Sequence, residues 1–230
     1  MVQNRIPTNR EMAANLNVAS VKLYDAGILA PEGSSALTTA ASTLFEQPRS
    51  TWRYSIPVVQ PVYFNACRDR RDRIFTPEIG VKWIGVLDEQ DKLPFSVWDI
   101  ALTLKYENPD IHCPRWHFDL ANEDQPGPIT HLQYGGHKHE GNGHFDTALK
   151  EPRWFTAPMD VILLCEMVAA SFFLDLWNEN LRGDPQWTRL VHESQQLCYP
   201  HFIRSLQQSV AVNGAKVVLD ANWNDRKKQN

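Results

Sequence analysis

No two of the four cysteines, Cys67, Cys113, Cys165 and Cys198, share a C-x-x-C spacing. This removes the common structural zinc and dithiol redox motifs, and scattered thiols in apolar surroundings are the usage expected of a reducing compartment. Long apolar runs are also missing. The best candidate, Val161 to Trp177, is broken by Glu166 and Asp175 and falls short of the ~20 residues a membrane span needs. The opening MVQNRIPTNREM lacks the apolar stretch of a secretory leader, so a cytoplasmic location with no membrane contact is the expectation. Excess positive charge is lacking too: 23 basic and 27 acidic residues leave a net charge of -4, which argues against binding nucleic acid with the whole surface and leaves only a local patch. No H-E-x-x-H helix motif and no phosphate-binding glycine loop is present.

What remains is ordinary globular material. With 43% hydrophobic residues, 11 glycines and 15 prolines, collagen-like, low-complexity and disordered readings fail, and a single domain over 1–212 is expected. Within it, residues 1–48 read as helical, 51–136 as sheet, 137–157 as a Gly/His-rich loop and 158–212 as helices, with a frayed polar tail over 213–230. Thr8 and Glu11 make a capping box, and Leu16, Ala19, Leu23 and Ala26 follow at helical spacing before Gly27 and Pro31 stop the helix. A second helix is expected from Ser35 to about Phe45. Period-two patterning starts at Thr51 and continues through 78–87, 96–106, 113–120 and 129–134. Pro158 then opens a helix running to Gly183, and Asp184-Pro185 opens another that bends or breaks near Pro200. The expected fold is therefore α+β: an antiparallel sheet of about five strands, with N-terminal helices and two C-terminal helices on one face.

Strand parity selects the candidate site, because alternate side chains point to opposite faces. In PRWHFDL, Trp116, Phe118 and Leu120 form the apolar parity and leave Arg115, His117 and Asp119 opposite. The same division leaves His131 and Gln133 in ITHLQYGG, and Asp99, Thr103 and Lys105 in SVWDIALTLKY. In an antiparallel meander these residues share one face. Two imidazoles on adjacent strands can act as base and acid around one scissile bond, and His117 and His131 are that candidate pair. Asp119 would orient an imidazole, while Arg115 and Lys105 would stabilise charge developing on a phosphoryl group. The plainer alternative is a polar face that meets water or a partner.

Downstream, GGHKHEGNGHFD offers His137, His139 and His144 as candidate ligands for a divalent metal such as zinc, or as an exposed loop over the face. The run RDRRDR, Arg68 to Arg73, reads as a solvated loop, with a phosphate-contacting patch as the sharper alternative. Arg153 and Trp154 read as a junction where the Trp anchors packing. Trp98, Trp116, Trp177 and Trp187 lie on apolar stripes and read as core.

The order of sheet, paired R-W-H-F-D and H-L-Q-Y-G-G strands and apolar helix, over residues 95–180, resembles small prokaryotic proteins of toxin–antitoxin and defence gene clusters. The likeness is one of pattern, attaches to no named family and carries over no functional residue. It implies a nucleic-acid-related or defence-complex role. Three functions follow from the sequence: a phosphodiester hydrolase of nuclease-like, toxin or defence type; a non-catalytic subunit that binds a protein partner in such a complex; and a small-ligand binder.

Overall fold

In a computed structural model of the chain, the described residues are 5–87, 92–121, 127–135, 152–212 and 223–224. Two helices come first, α1 (Asn9–Asp25) and α2 (Pro31–Phe45). The α1 capping box forms as its spacing requires: Thr8 Oγ1 accepts from the Glu11 amide at 3.2 Å, and the Glu11 carboxylate accepts from the Thr8 amide at 2.8 Å. Pro31, expected only to stop the first helix, also starts the second four residues earlier than Ser35. A proline suits that first position because its missing N–H has no helical partner to lose.

The strands are β1 (Thr51–Ile56), β2 (Val62–Tyr63), β3 (Cys67–Arg68), β4 (Ile74–Leu87), β5 (Phe95–Tyr106), β6 (Arg115–Leu120), β7 (Gly127–Pro128), β8 (Thr130–Tyr134), β9 (Trp154–Phe155) and β10 (Trp223–Asn224). Eight of them form one antiparallel sheet in the order β1-β4-β5-β6-β8-β9, with β2 and β3 also paired to β4, while β7 pairs β10 separately. The fold is α+β, but the expected count of about five strands was too low. The extra strands β2, β3 and β9 are two residues long, so they carry no alternation to detect.

The C-terminal helices are α3 (Val161–Phe172), α4 (Leu174–Asn180) and α5 (Pro185–Val212). Two were expected. The first breaks at Phe173 into α3 and α4, which bend by 117°. No single described helix is long and apolar enough to cross a membrane. By contrast α5 runs on through Pro200, where a break or bend was expected.

One apolar layer joins these elements. Trp52, Tyr54, Ile79, Ile84, Trp98, Ile100 and Phe118 from the sheet are buried with Leu16, Leu37, Leu164, Leu190 and Leu197 from the helices. Glu166 interrupts the apolar stretch for a reason: its Oε2 accepts from the indole N–H groups of Trp177 and Trp187, at 2.9 and 2.6 Å. With the helices on this face of the sheet, the opposite parity is left for the candidate site.

Candidate functional site

Register places the polar residues in rows. Asp99 stands opposite Asp119, and Asp119 opposite His131. One step along, His117 lies between Ala101 and Gln133; one step further, Arg115 faces Thr103. The shared face expected from parity is therefore present. Gly135 ends β8 with a φ of 89°, a conformation that resists an L side chain, and its amide donates to the Arg115 carbonyl at 2.8 Å.

A continuous polar chain runs across this face. Nε2 of His117 donates to Asp99 Oδ1 at 2.6 Å, which places the lone pair of the neutral ring on Nδ1. That nitrogen is 3.5 Å from Asp119 Oδ2, too long for a strong bond and close enough for charge to be felt. Asp119 Oδ1 in turn lies 2.5 Å from His131 Nε2, at an angle that misses hydrogen-bond alignment. His131 Nδ1 donates to the Pro128 carbonyl at 3.1 Å, since a carbonyl can only accept.

The two histidines therefore meet one carboxylate but differ in access. The His117 side chain is 18% exposed and His131 only 1%. Expected as an acid–base pair, they hold different positions: both ring nitrogens of His131 face protein groups, so it can act on Asp119 but not on a bound molecule. Asp119, expected to orient an imidazole, lies against His131, while the short bond to His117 comes from Asp99, which the sequence placed on the face without a role.

Burial alone would raise the Asp99 carboxyl; the His117 hydrogen bond and the charges of His117 and Lys82 outweigh it and hold Asp99 below its ordinary value. Glu78 goes the other way, because burial outweighs the Lys105 ammonium 3.5 Å away. Arg115 is buried, which lowers its guanidinium from the usual value against the pull of Asp99.

Lys82 and Trp83 join the face against the period-two pattern of β4. A bulge in β4 shifts register between Val81 and Trp83, so Val81 and Ile84 both enter the core while the two residues between them turn to the polar face. Lys82 reaches Asp99 Oδ2 at 3.5 Å, and Trp83 stands directly opposite Asp99. A strict period of two contains no signal for such a shift. Across the face the two lysines stand out while the carboxylates and Arg115 sit low: Lys82 and Lys105 are 70% and 54% exposed, against 20% for Asp99, 12% for Glu78 and 21% for Asp119.

The other sequence candidates are placed elsewhere. In the arginine run, Asp69 accepts from Arg73 Nε at 2.7 Å and from the Arg71 amide at 2.8 Å, while Arg68 pairs with Asp72 at 3.0 Å. The guanidinium groups of Arg68 and Arg73 thus engage acids within the run itself. Trp154, expected to anchor packing, is 64% exposed on β9. Among the described residues no group of three or more His, Cys, Asp or Glu is arranged to hold a metal ion, and His137, His139 and His144 lie outside those residues. A depression of about 480 Å³ along α5, lined by residues such as His192, Tyr199 and Ile203, shares no residue with the sheet face. The convergence of titratable groups favours the face over that depression as the site.

No protein-family model matches the chain, and no match is found among curated proteins or solved structures.

Proposed function

We propose that this chain is a phosphodiester hydrolase of nuclease-like type that works from the polar sheet face. The observation that carries this reading is the setting of His117: one ring nitrogen bonded to Asp99 at 2.6 Å, the other 3.5 Å from Asp119, with partial access to solvent. An imidazole so held can take a proton at Nδ1, and the two flanking carboxylates stabilise the imidazolium that results. In hydrolysis, Nδ1 would take the proton of the attacking water as its oxygen bonds to phosphorus. As the bond from phosphorus to the leaving oxygen breaks, the same proton would pass to that oxygen. Arg115, Lys105 and Lys82 supply positive charge for the phosphoryl oxygens. In this reading His131 holds Asp119, and Asp99 is the orienting group.

The test is turnover of an activated phosphodiester and of oligonucleotides by the purified chain. His117→Ala should lose about 10²-fold or more in rate with its unfolding midpoint nearly unchanged. An unaltered rate in that variant removes His117 from the chemistry and the reading with it.

A second reading is a non-catalytic subunit of a multiprotein assembly, in line with the resemblance to toxin–antitoxin and defence proteins. It is favoured by one observation, the 64% exposed Trp154 on β9, which lies at the end of the sheet order. Exposed edge strands recruit partners by strand addition. Stoichiometric copurification with a partner that Trp154→Ala abolishes, with no turnover by the chain alone, would support it.

A further inference from the structure

The β4 bulge builds a surface beside His117 that the hydrolase reading does not use. Trp83 is 39% exposed and directly opposite Asp99, the carboxylate that holds His117. The Arg53 guanidinium lies 5.0 Å from the centre of its indole ring, fixing one face of the ring and adding a cation next to it. Lys82, the other bulged residue, projects from the same place, and Lys105 stands further along the face. A ligand approaching here meets an aromatic ring and exposed cations before it meets the carboxylates beneath.

We propose that Trp83 is a stacking platform for one base of a single-stranded nucleic acid, with Arg53, Lys82 and Lys105 contacting its phosphates and directing the strand toward His117. The proposal rests on the phosphodiester reading and names its substrate class. Stacking on an indole needs an unpaired base, which excludes an intact duplex, and any base can provide the π-face. Exposed cations around a ring match a polyanion carrying aromatic groups better than they match an acidic peptide, which would satisfy the lysines and leave Trp83 unused. Trp98 and Trp187 lie on the apolar side in the core, whereas the bulge turns Trp83 outward.

The experiment is fluorescence anisotropy of the full chain with end-labelled single strands of about twelve nucleotides, as oligouridine and oligodeoxythymidine, with cleavage read separately on a gel. The expected result is salt-sensitive binding that unlabelled single strand competes and blunt duplex and polyglutamate do not. RNA and DNA arms identify which sugar is taken. Trp83→Ala should weaken binding about tenfold or more, and Trp83→Phe, which keeps a stacking face, should stay within about threefold of the parent. Should Trp83→Ala fail to fold, Trp83→Leu replaces it as the variant with bulk and no stacking face. Equal binding by the Leu and Phe variants, no binding by the parent chain, or equal competition by duplex or polyglutamate overturns the platform. A strand that binds through Trp83 without being cut leaves the platform standing and overturns the hydrolase reading; a strand that is cut with Trp83 indifferent does the reverse.

Discussion

His131 Nε2 lies 2.5 Å from Asp119 Oδ1, while its Nδ1 is already committed to the Pro128 carbonyl. The approach misses hydrogen-bond alignment, so the two side chains are held together by close packing and charge and not by a directed bond. The unit is thus a buried His–Asp pair linked to His117 through the second oxygen of Asp119.

Removing either histidine should therefore have different consequences. His131→Ala strips the partner from a mostly buried carboxylate, and an uncompensated buried charge is expensive, about 3 kcal/mol when both groups are deeply buried. Partial exposure of Asp119 reduces this, so a loss of about 1–2 kcal/mol is expected in urea unfolding. His117→Ala should cost less than His131→Ala and still abolish turnover. Equal stability losses in the two variants would contradict the division of labour between them.

Acid sensitivity follows from Asp99 and Glu78, with opposite signs. The folded Asp99 carboxyl is lowered from its ordinary 3.8, so the unfolded chain binds its proton more tightly. Its contribution is full above the unfolded value and is lost as pH falls through the folded one. Glu78 is raised from 4.5, so its contribution is full below that value and is lost as pH rises through the folded one. Unfolding midpoints measured across the acid range should show a shallower fall for Asp99→Asn than for the parent chain, and a steeper one for Glu78→Gln.

Glu166 should be a stability residue with no part in turnover. Glu166→Leu leaves the indole N–H groups of Trp177 and Trp187 without their shared acceptor, and Trp187 is 1% exposed. A loss of about 2 kcal/mol is expected, together with a change in near-ultraviolet circular dichroism, while kcat stays as in the parent.

Gly33 tests the close packing of α2 on β2. A Cβ there would lie 2.1 Å from the Tyr63 carbonyl oxygen, a backbone atom that cannot swing away. Gly33→Ala should therefore destabilise the chain by about 2 kcal/mol or more, against the usual gain from Gly to Ala inside a helix. Thermal unfolding checks the sign directly.

By itself the sequence determined the α+β class, the capped first helix and the polar face of β5, β6 and β8. All three depend on local rules, namely a cap spacing and an unbroken period of two, which hold wherever the chain is regular. Tertiary structure decided what each member of the face can do. His117 and His131 share the same parity, so only the surroundings of β8 could bury one and leave the other partly open. Asp99, from the neighbouring strand, is the carboxylate that reaches Nε2 of His117, a contact that strand pairing and not the sequence of β6 decides. Lys82 and Trp83 joined the face through a bulge, a one-residue shift between paired strands that the residues of a single strand do not encode as a pattern.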